Sequence, residues 1–406
     1  MSQSTPRLAR TGAAVVAAAL TLGLAACGSS AGAAGGGQSS FRILAVAPLS
    51  GSVAAFGAGA KTAIDAAVKV VNGEGGIAGR TVEVTYVDDA GTPTQAVSVL
   101  QRELASGTTY DFAFLGSTSG EALAMVPIAD QHKLLSCTQA GSDALNDGSK
   151  YPYFFGASTS LVQNAAATVD QVKKAGYRSA AALVDNNERG VGTLAGFQTA
   201  LDKAGIPLAS EKLDPTATDA TAQLAKLKAA NPDVLLLDAY GPTAAVMLSS
   251  VKKLGWNIPV VGSATMAGND FTSIPPAAYQ GVVLRTAAMN ITGTPTTASP
   301  DFVAFQKAMV AESGGNLQYA AETYASAYGC VLLARAGATA AGSTDPDQMK
   351  AALTKVSAAS DVKGWFLSST IGFSPTSRKP IFSSSDYGNA SPGPRNAMLL
   401  PAAAAG

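Results

Sequence analysis

Residues 41–89 read FRILAVAPLSGSVAAFGAGAKTAIDAAVKVVNGEGGIAGRTVEVTYVDD, and this stretch decides the fold. Phe41–Val46 is a short β-rich run of strand length. Between Ala58 and Val71 the apolar positions fall at helical spacing, so one helix face is apolar. Thr81–Val87 alternates polar and apolar residues, the pattern of a half-buried strand. Strand, helix and strand in succession make a βαβ unit, which places the two strands parallel in a sheet covered by helices. Pro48–Gly51 turns the chain out of the first strand, and the glycine cluster from Gly73 to Gly79 stops the helix and turns it into the next strand.

The pattern continues outward. Thr94–Ala105 reads as a helix, Phe112–Leu115 as a strand, Glu121–Gln131 as a helix and Leu134–Ser136 as a strand. A second series follows: helix Val162–Ala175, strand Ser179–Val184, helix Gly190–Ala204, strand Leu208–Leu213, helix Thr218–Ala229, strand Val234–Leu237, helix Thr243–Leu254, then strands Pro259–Gly262 and Gly281–Arg285. Two α/β series of similar build predict two similar parallel-sheet lobes. Three helices are then expected, over Pro300–Glu312, Ala320–Ala338 and Asp347–Val356, and the last forty or so residues are Ser-, Pro- and Gly-rich without a clear period.

Toward the other end, Arg7 and Arg10 precede an uncharged, Ala/Val/Leu-rich run over residues 11–26 that closes on Leu24-Ala25-Ala26-Cys27. The run suits a signal segment and is short for a membrane span, which needs about 20 apolar residues. The pattern resembles a lipobox. Residues 1–26 are then a lipoprotein signal peptide, Cys27 takes the lipid, and 27–40, nearly all Gly, Ser and Ala, form a flexible tether spanning roughly 20 Å. The alternative is an ordinary secretory cut with Cys27 incidental. Both readings place the body outside the cytoplasm; the lipid adds an anchor on the outer face of the membrane.

Composition narrows the function further. The 406-residue chain is too long for one ordinary core. Lys+Arg and Asp+Glu both total 28, and charged residues make up 14% against about 25% in average chains. No basic surplus points to nucleic acid. With one histidine and three cysteines there is no ligand set for a Cys/His zinc site, and no cofactor motif is present. Cys137 and Cys330 are expected as buried free thiols, a disulfide being the alternative.

Several segments resemble the branched-chain amino acid-binding proteins, type I periplasmic binding proteins that serve ABC importers. They are Pro48-Leu49-Ser50-Gly51, Ala54-Ala55-Phe56-Gly57, Gly73–Arg80, Asp88-Asp89, Phe114–Gly120, Leu135-Ser136, Tyr153-Phe154-Phe155 and Gly190-Val191-Gly192. The resemblance spans about residues 41–340 and is most specific in its first part. It implies two lobes joined by a hinge with a ligand cleft between them, residues 41–158 and 288–356 in the first lobe and 159–287 and 357–406 in the second. It also implies hinge closure over a small solute, ABC permease subunits as partners and a monomeric receptor.

The site follows from both lines of argument. At Gly116–Gly120 a strand ends, small polar residues follow and a helix begins, so free N–H groups and hydroxyls favour an anion beyond the strand ends. The resemblance places the ligand carboxylate on Ser119, with Ser117 and Thr118 beside it and backbone donors at Ala140-Gly141. The other reading is that these residues only cap a helix. The resemblance also brings Phe56 and Tyr240 to the cleft as aromatic walls, although Phe56 equally suits a core. Arg189 stands where the family carries a tyrosine. It either grips a second carboxylate or polar group or lies solvated in its polar loop. The family's acid for the ligand ammonium falls within Ser263-Ala264-Thr265-Met266, where no acid occurs, leaving Asp238 or Asp270 as substitutes. A plain aliphatic amino acid is therefore not the expected ligand.

Two other classes compete. A ligand sensor on the same fold would need a partner other than a permease. A hydrolase would need His132 beside a serine, but Gly116-Ser117-Thr118-Ser119-Gly120 is not G-x-S-x-G, and His132 falls at the solvent end of a helix.

Overall fold

The computed structural model describes residues 40–269, 271–272, 274–315, 317, 319–393 and 400–401. The expected signal segment, Cys27, all but the end of the tether and Asp270 lie outside the described residues.

The first α/β series comprises β1 (Phe41–Ala47), α1 (Ala54–Gly73), β2 (Val82–Asp88), α2 (Pro93–Ala105), β3 (Phe112–Leu115), α3 (Ser119–Gln131) and β4 (Ser136–Cys137). The second comprises α4 (Leu161–Lys174), β5 (Ala180–Asp185), α5 (Glu188–Ala204), β6 (Leu208–Leu213), α6 (Thr221–Ala229), β7 (Val234–Asp238), α7 (Pro242–Lys253), β8 (Val260–Gly262), the short α8 (Ala264–Ala267) and α9 (Pro276–Tyr279), and β9 (Val283–Ala287). Then come α10 (Pro300–Ser313), α11 (Ala321–Ala341), α12 (Pro346–Leu353), β10 (Tyr387–Ser391) and β11 (Leu400–Pro401). Each strand and helix expected between residues 41 and 356 is present near its expected limits, with β4 displaced toward Cys137.

The strands form two sheets. One runs β2-β1-β3-β4, all parallel. The other runs β6-β5-β7-β8-β9, parallel, and is extended by antiparallel β10 and β11. In both, strand order reverses beside the first strand of the series, between β1 and β3 and between β5 and β7. Crevices open at the carboxyl ends of such switch points.

Both sheets are covered on both faces, which is why the inner strands β1, β3, β5 and β7 are almost continuously apolar. Ile43, Ala45 and Ala47 pack with α1, α10 and α11, while Leu44 and Val46 pack with α2 and α3. In the second half Ala181 and Leu183 face α6 and α7, and Ala180, Ala182 and Val184 face α4 and α5. One glycine per half repeats a local device. A Cβ on Gly57 would stand 2.0 Å from the Pro48 carbonyl oxygen, and one on Gly190 would stand 1.9 Å from that of Asp185. Each helix lays its first turn flat against the end of the preceding strand, an approach that only glycine permits.

Two expectations change. Residues 357–406 do not all go with the second sheet. Val362, Trp365, Phe366, Leu367, Ile371 and Phe373 fill the core under β1, with the Phe366 ring 4.6 Å from that of Phe305. Of the described residues in this segment, only β10 and β11 join the second sheet. Cys137 and Cys330 are not free thiols: they form a disulfide, with Cα atoms 5.6 Å apart. Cys137 ends β4 and Cys330 lies on α11, which returns to this half after the chain has built the other, so sequence spacing carries no sign of the contact.

Candidate functional site

A cavity of about 120 Å³ lies between the two halves, at the carboxyl ends of their strands. For scale, a cavity of about 150 Å³ suffices for benzene. The space suits one small molecule.

The first half contributes three loops. The β3–α3 turn brings Ser117, Thr118 and Ser119 to the wall, the segment after β4 brings Gln139, Ala140 and Gly141, and the first turn of α1 brings Phe56. The second half contributes Arg189 from the start of α5, Tyr240 after β7 and Thr265 on α8. Ser158, Thr159 and Asn290, from the segments where the chain passes between halves, Asn164 on α4, and Glu322, Thr323 and Ser326 on α11 complete the polar part of the lining. Phe56, Ser117, Thr118, Ser119, Ala140, Gly141, Arg189 and Tyr240, the ligand-site residues expected from the sequence, all line this cavity. His132 is exposed at the C-cap of α3 and is not part of the lining.

The β3–α3 turn is partly self-satisfied. Glu121 Oε2 accepts the Ser117 and Thr118 N–H groups at 2.8 and 3.2 Å. Those two backbone donors, expected to face a ligand anion, are therefore spent on a helix cap. The hydroxyls are not: Ser117 Oγ and Ser119 Oγ are buried with no protein hydrogen-bond partner, as is Gln139 Oε1. The N–H groups of Ser119 and Gly120, opening α3, have no helical acceptor. Buried hydroxyls without partners are costly unless something enters to bond them. The Ala140 N–H is also spent, on Thr138 Oγ1 at 3.1 Å. The Ala140 carbonyl accepts from Ser158 Oγ at 2.6 Å and Lys379 Nζ at 2.8 Å. Lys379 is buried, and burial pulls its ammonium down to about 8. It comes from the C-terminal stretch that gave no sequence signal.

Arg189 is not solvated in its polar loop: it lines the cavity, and its Nε has no protein hydrogen-bond partner. It is buried, with Nη2 3.1 Å from Asp185 Oδ2, Nη1 paired with Asp238 and 3.2 Å from Thr265 Oγ1, and its guanidinium 4.7 Å over the Tyr240 ring. Burial alone would weaken its charge, but the two carboxylates reverse this and hold its pKa above the ordinary value. Asp185 is pushed up to about 6 by burial, with Arg189 opposing and Asp238 adding to the rise. Asp238 also accepts from the Ser263 hydroxyl. It is committed to the protein and is not available as an ammonium partner.

Phe56 belongs to the cleft: its ring meets Tyr240 at 5.4 Å and Tyr319 at 5.8 Å. Glu322 is the lining residue the sequence reading missed. Its signal was present, because it is the one charged residue between Glu312 and Arg335. Burial raises its pKa, opposed by hydrogen bonds from Thr159 and Asn290.

A family model described as periplasmic binding protein matches residues 40–380. The chain belongs to this family. Among curated relatives, a Leu/Ile/Val-binding protein homolog of Brucella melitensis is 28% identical over 302 residues, covering 74% of this chain and 79% of the relative. A type 1 periplasmic binding protein from Bordetella pertussis superposes with a TM-score of 0.78 at 22% identity, over 89% of this chain and 100% of that one. An ABC-transporter solute-binding protein from Rhodopseudomonas palustris, solved with 3,4-dihydroxybenzoic acid, gives 0.72 at 21% identity, over 89% and 95%. The fold is thus the type I periplasmic binding fold, and the likeness to branched-chain amino acid-binding members read from the motifs holds. These relatives are named as solute-binding proteins, not as enzymes.

Proposed function

We propose that this chain is the solute receptor of an ABC importer, held outside the cytoplasm by a lipid on Cys27, and that it captures a small carboxylate by closing two lobes over it. One observation carries the reading: the buried, unpartnered hydroxyls of Ser117 and Ser119 open into a cavity whose opposite wall comes from the other half. Two uncharged donors beside a helix start suit a carboxylate, which accepts several hydrogen bonds and gains from the helix dipole. The relatives' ligands fit that class, since leucine, isoleucine, valine and dihydroxybenzoate all carry a carboxylate. Segments around Ser158–Ser160, Ala288–Asn290 and Ser384–Asp386 link the halves and serve as the hinge. Closure shapes a surface that permease subunits read, and no bond chemistry is needed. The receptor works as a monomer.

The test is a thermal-shift screen of amino acids and aromatic carboxylates, followed by calorimetry of the best ligand. Ser119→Ala should weaken it about ten-fold or more, the cost of losing one hydrogen bond to a charged group. Unchanged affinity in that variant would place the solute elsewhere. Cys27→Ala should release the protein from the membrane, and retention would remove the anchor.

A further inference from the structure

Resting on the solute-binding reading above, we propose that the Glu322 carboxylate receives a protonated nitrogen of the bound solute. The solute is then a small zwitterion, with its carboxylate toward Ser117 and Ser119 and its ammonium toward the start of α11.

The argument begins with the hydrogen bonds that Glu322 makes. Its carboxylate accepts from Thr159 Oγ1 at 2.8 Å and from Asn290 Nδ2 at 3.2 Å. Both donors are neutral. A carboxylate has about four acceptor positions, so room remains on it. The group is held in place as well: its own N–H donates to Asn290 Oδ1 at 2.8 Å, and Asn290 is fixed by Thr286 at 2.7 Å. Glu322 lies deep in the protein yet keeps some accessible surface, and it lines the cavity. A fixed carboxylate with spare acceptors and a cavity in front of it is built to meet a donor.

Charge decides which donor. A desolvated carboxylate bonded only by neutral groups is costly until a cation joins it. Among the described residues, no cation pairs with it. Arg189, the one guanidinium on the wall, is committed to Asp185 and Asp238. Lys379 is committed to the Ala140 carbonyl. Glu322 also sits in the first turn of α11, where the helix dipole favours its ionised form over the neutral one. Burial raises its pKa, and a cation arriving with the solute would lower it again. Ser263–Met266 of the second half lacks an acid, Asp238 is bonded to Arg189 and Ser263, and among the described residues lining the cavity Glu322 is the one carboxylate. The counter-charge for an ammonium therefore stands on α11.

The competing account is that Glu322 is a neutral acid that only ties together the two crossing segments. Calorimetry separates the two with paired probes: L-leucine with 4-methylpentanoate, L-phenylalanine with 3-phenylpropionate, L-glutamine with glutaramate, and 3,4-dihydroxybenzoate alone. In the wild type, an amino member of at least one pair should bind, with its des-amino partner at least about thirty-fold weaker, as for loss of a buried charge pair. Glu322→Gln keeps the shape and most hydrogen bonds and should erase that difference. A difference that survives Glu322→Gln overturns the inference. So does tighter wild-type binding of a des-amino acid or of dihydroxybenzoate; if Ser119→Ala weakens that binding, the carboxylate receptor still stands. Failure of every probe to bind overturns both. Should Glu322→Gln not fold, the wild-type pairs decide alone.

Discussion

Phe56 and Tyr240 meet edge to face across the cleft, with ring centroids 5.4 Å apart and planes at 65°. One ring comes from α1 of the first half and the other from the loop after β7 of the second, so this contact exists only while the halves are together. On the proposed hinge closure it would form as the lobes come together. Phe56→Ala and Tyr240→Ala should each weaken solute binding, and the double variant should lose less than the sum. The shortfall, about 0.5–1.5 kcal/mol for an aromatic pair, is the coupling energy of the two rings. Titration calorimetry on the four proteins measures it, and strict additivity would show that the rings do not contribute jointly to closure.

Arg189 sits between Asp185 and Asp238 with almost no solvent contact. Its removal leaves two buried carboxylates facing each other, which is far worse than the loss of one ion pair. Arg189→Ala should therefore destabilise the protein by about 3–5 kcal/mol. Urea unfolding with a solute-free sample gives the value directly. A loss below about 1 kcal/mol would mean that the guanidinium is not the counter-charge of these carboxylates.

What the sequence made readable was periodic. Ile43 and Leu44 face opposite covered sides of a sheet, and a chain of such residues in Phe41–Ala47 is recognisable without coordinates. The helix beginning at Gly190 was legible, but the close approach of Gly57 and Gly190 to the preceding strand ends is seen only in the structure. Contacts between residues far apart in the chain left no such trace. The bond between Cys137 and Cys330 and the bond from Lys379 to Ala140 both depend on where a late segment returns. The burial of Arg189 was not legible because its partner Asp238 ends a strand three elements later. Glu322 was visible as a lone acid in an apolar helix, but only the cavity shows what it faces.

The Cys137–Cys330 bond encloses nearly the whole second half, since its ends are 193 residues apart. Both cysteines lie in the same core cluster, so the bond closes a long loop without stapling one half to the other. The chain-entropy account gives on the order of 5 kcal/mol for so large a loop, and measured bonds commonly give 2–4. Reduction, or Cys137→Ala with Cys330→Ala, should lower the melting temperature by several degrees and leave solute affinity nearly unchanged. Affinity that falls in step with stability would show that the bond also sets the geometry of the β4 wall.

Asp89 carries the clearest pH signal. Its carboxyl is buried beside Glu121, one oxygen accepting the Gly91 N–H at 2.9 Å and the other without a protein partner. Burial and then the Glu121 charge push its pKa up to about 7. In the unfolded chain the same group titrates near 3.9. Between these values the folded state holds a proton that the unfolded state has lost, so stability falls as pH rises through that window. The stabilising proton is fully in place below about pH 4 and gone above about pH 7. Melting temperatures measured from pH 4.5 to 8 should therefore decline toward the alkaline end in the wild type and decline less in Asp89→Asn, which stays neutral throughout. Parallel curves for the two proteins would place the proton on another group. Glu121 is then the first to test, because burial raises its carboxyl as well and its second oxygen lacks a protein partner.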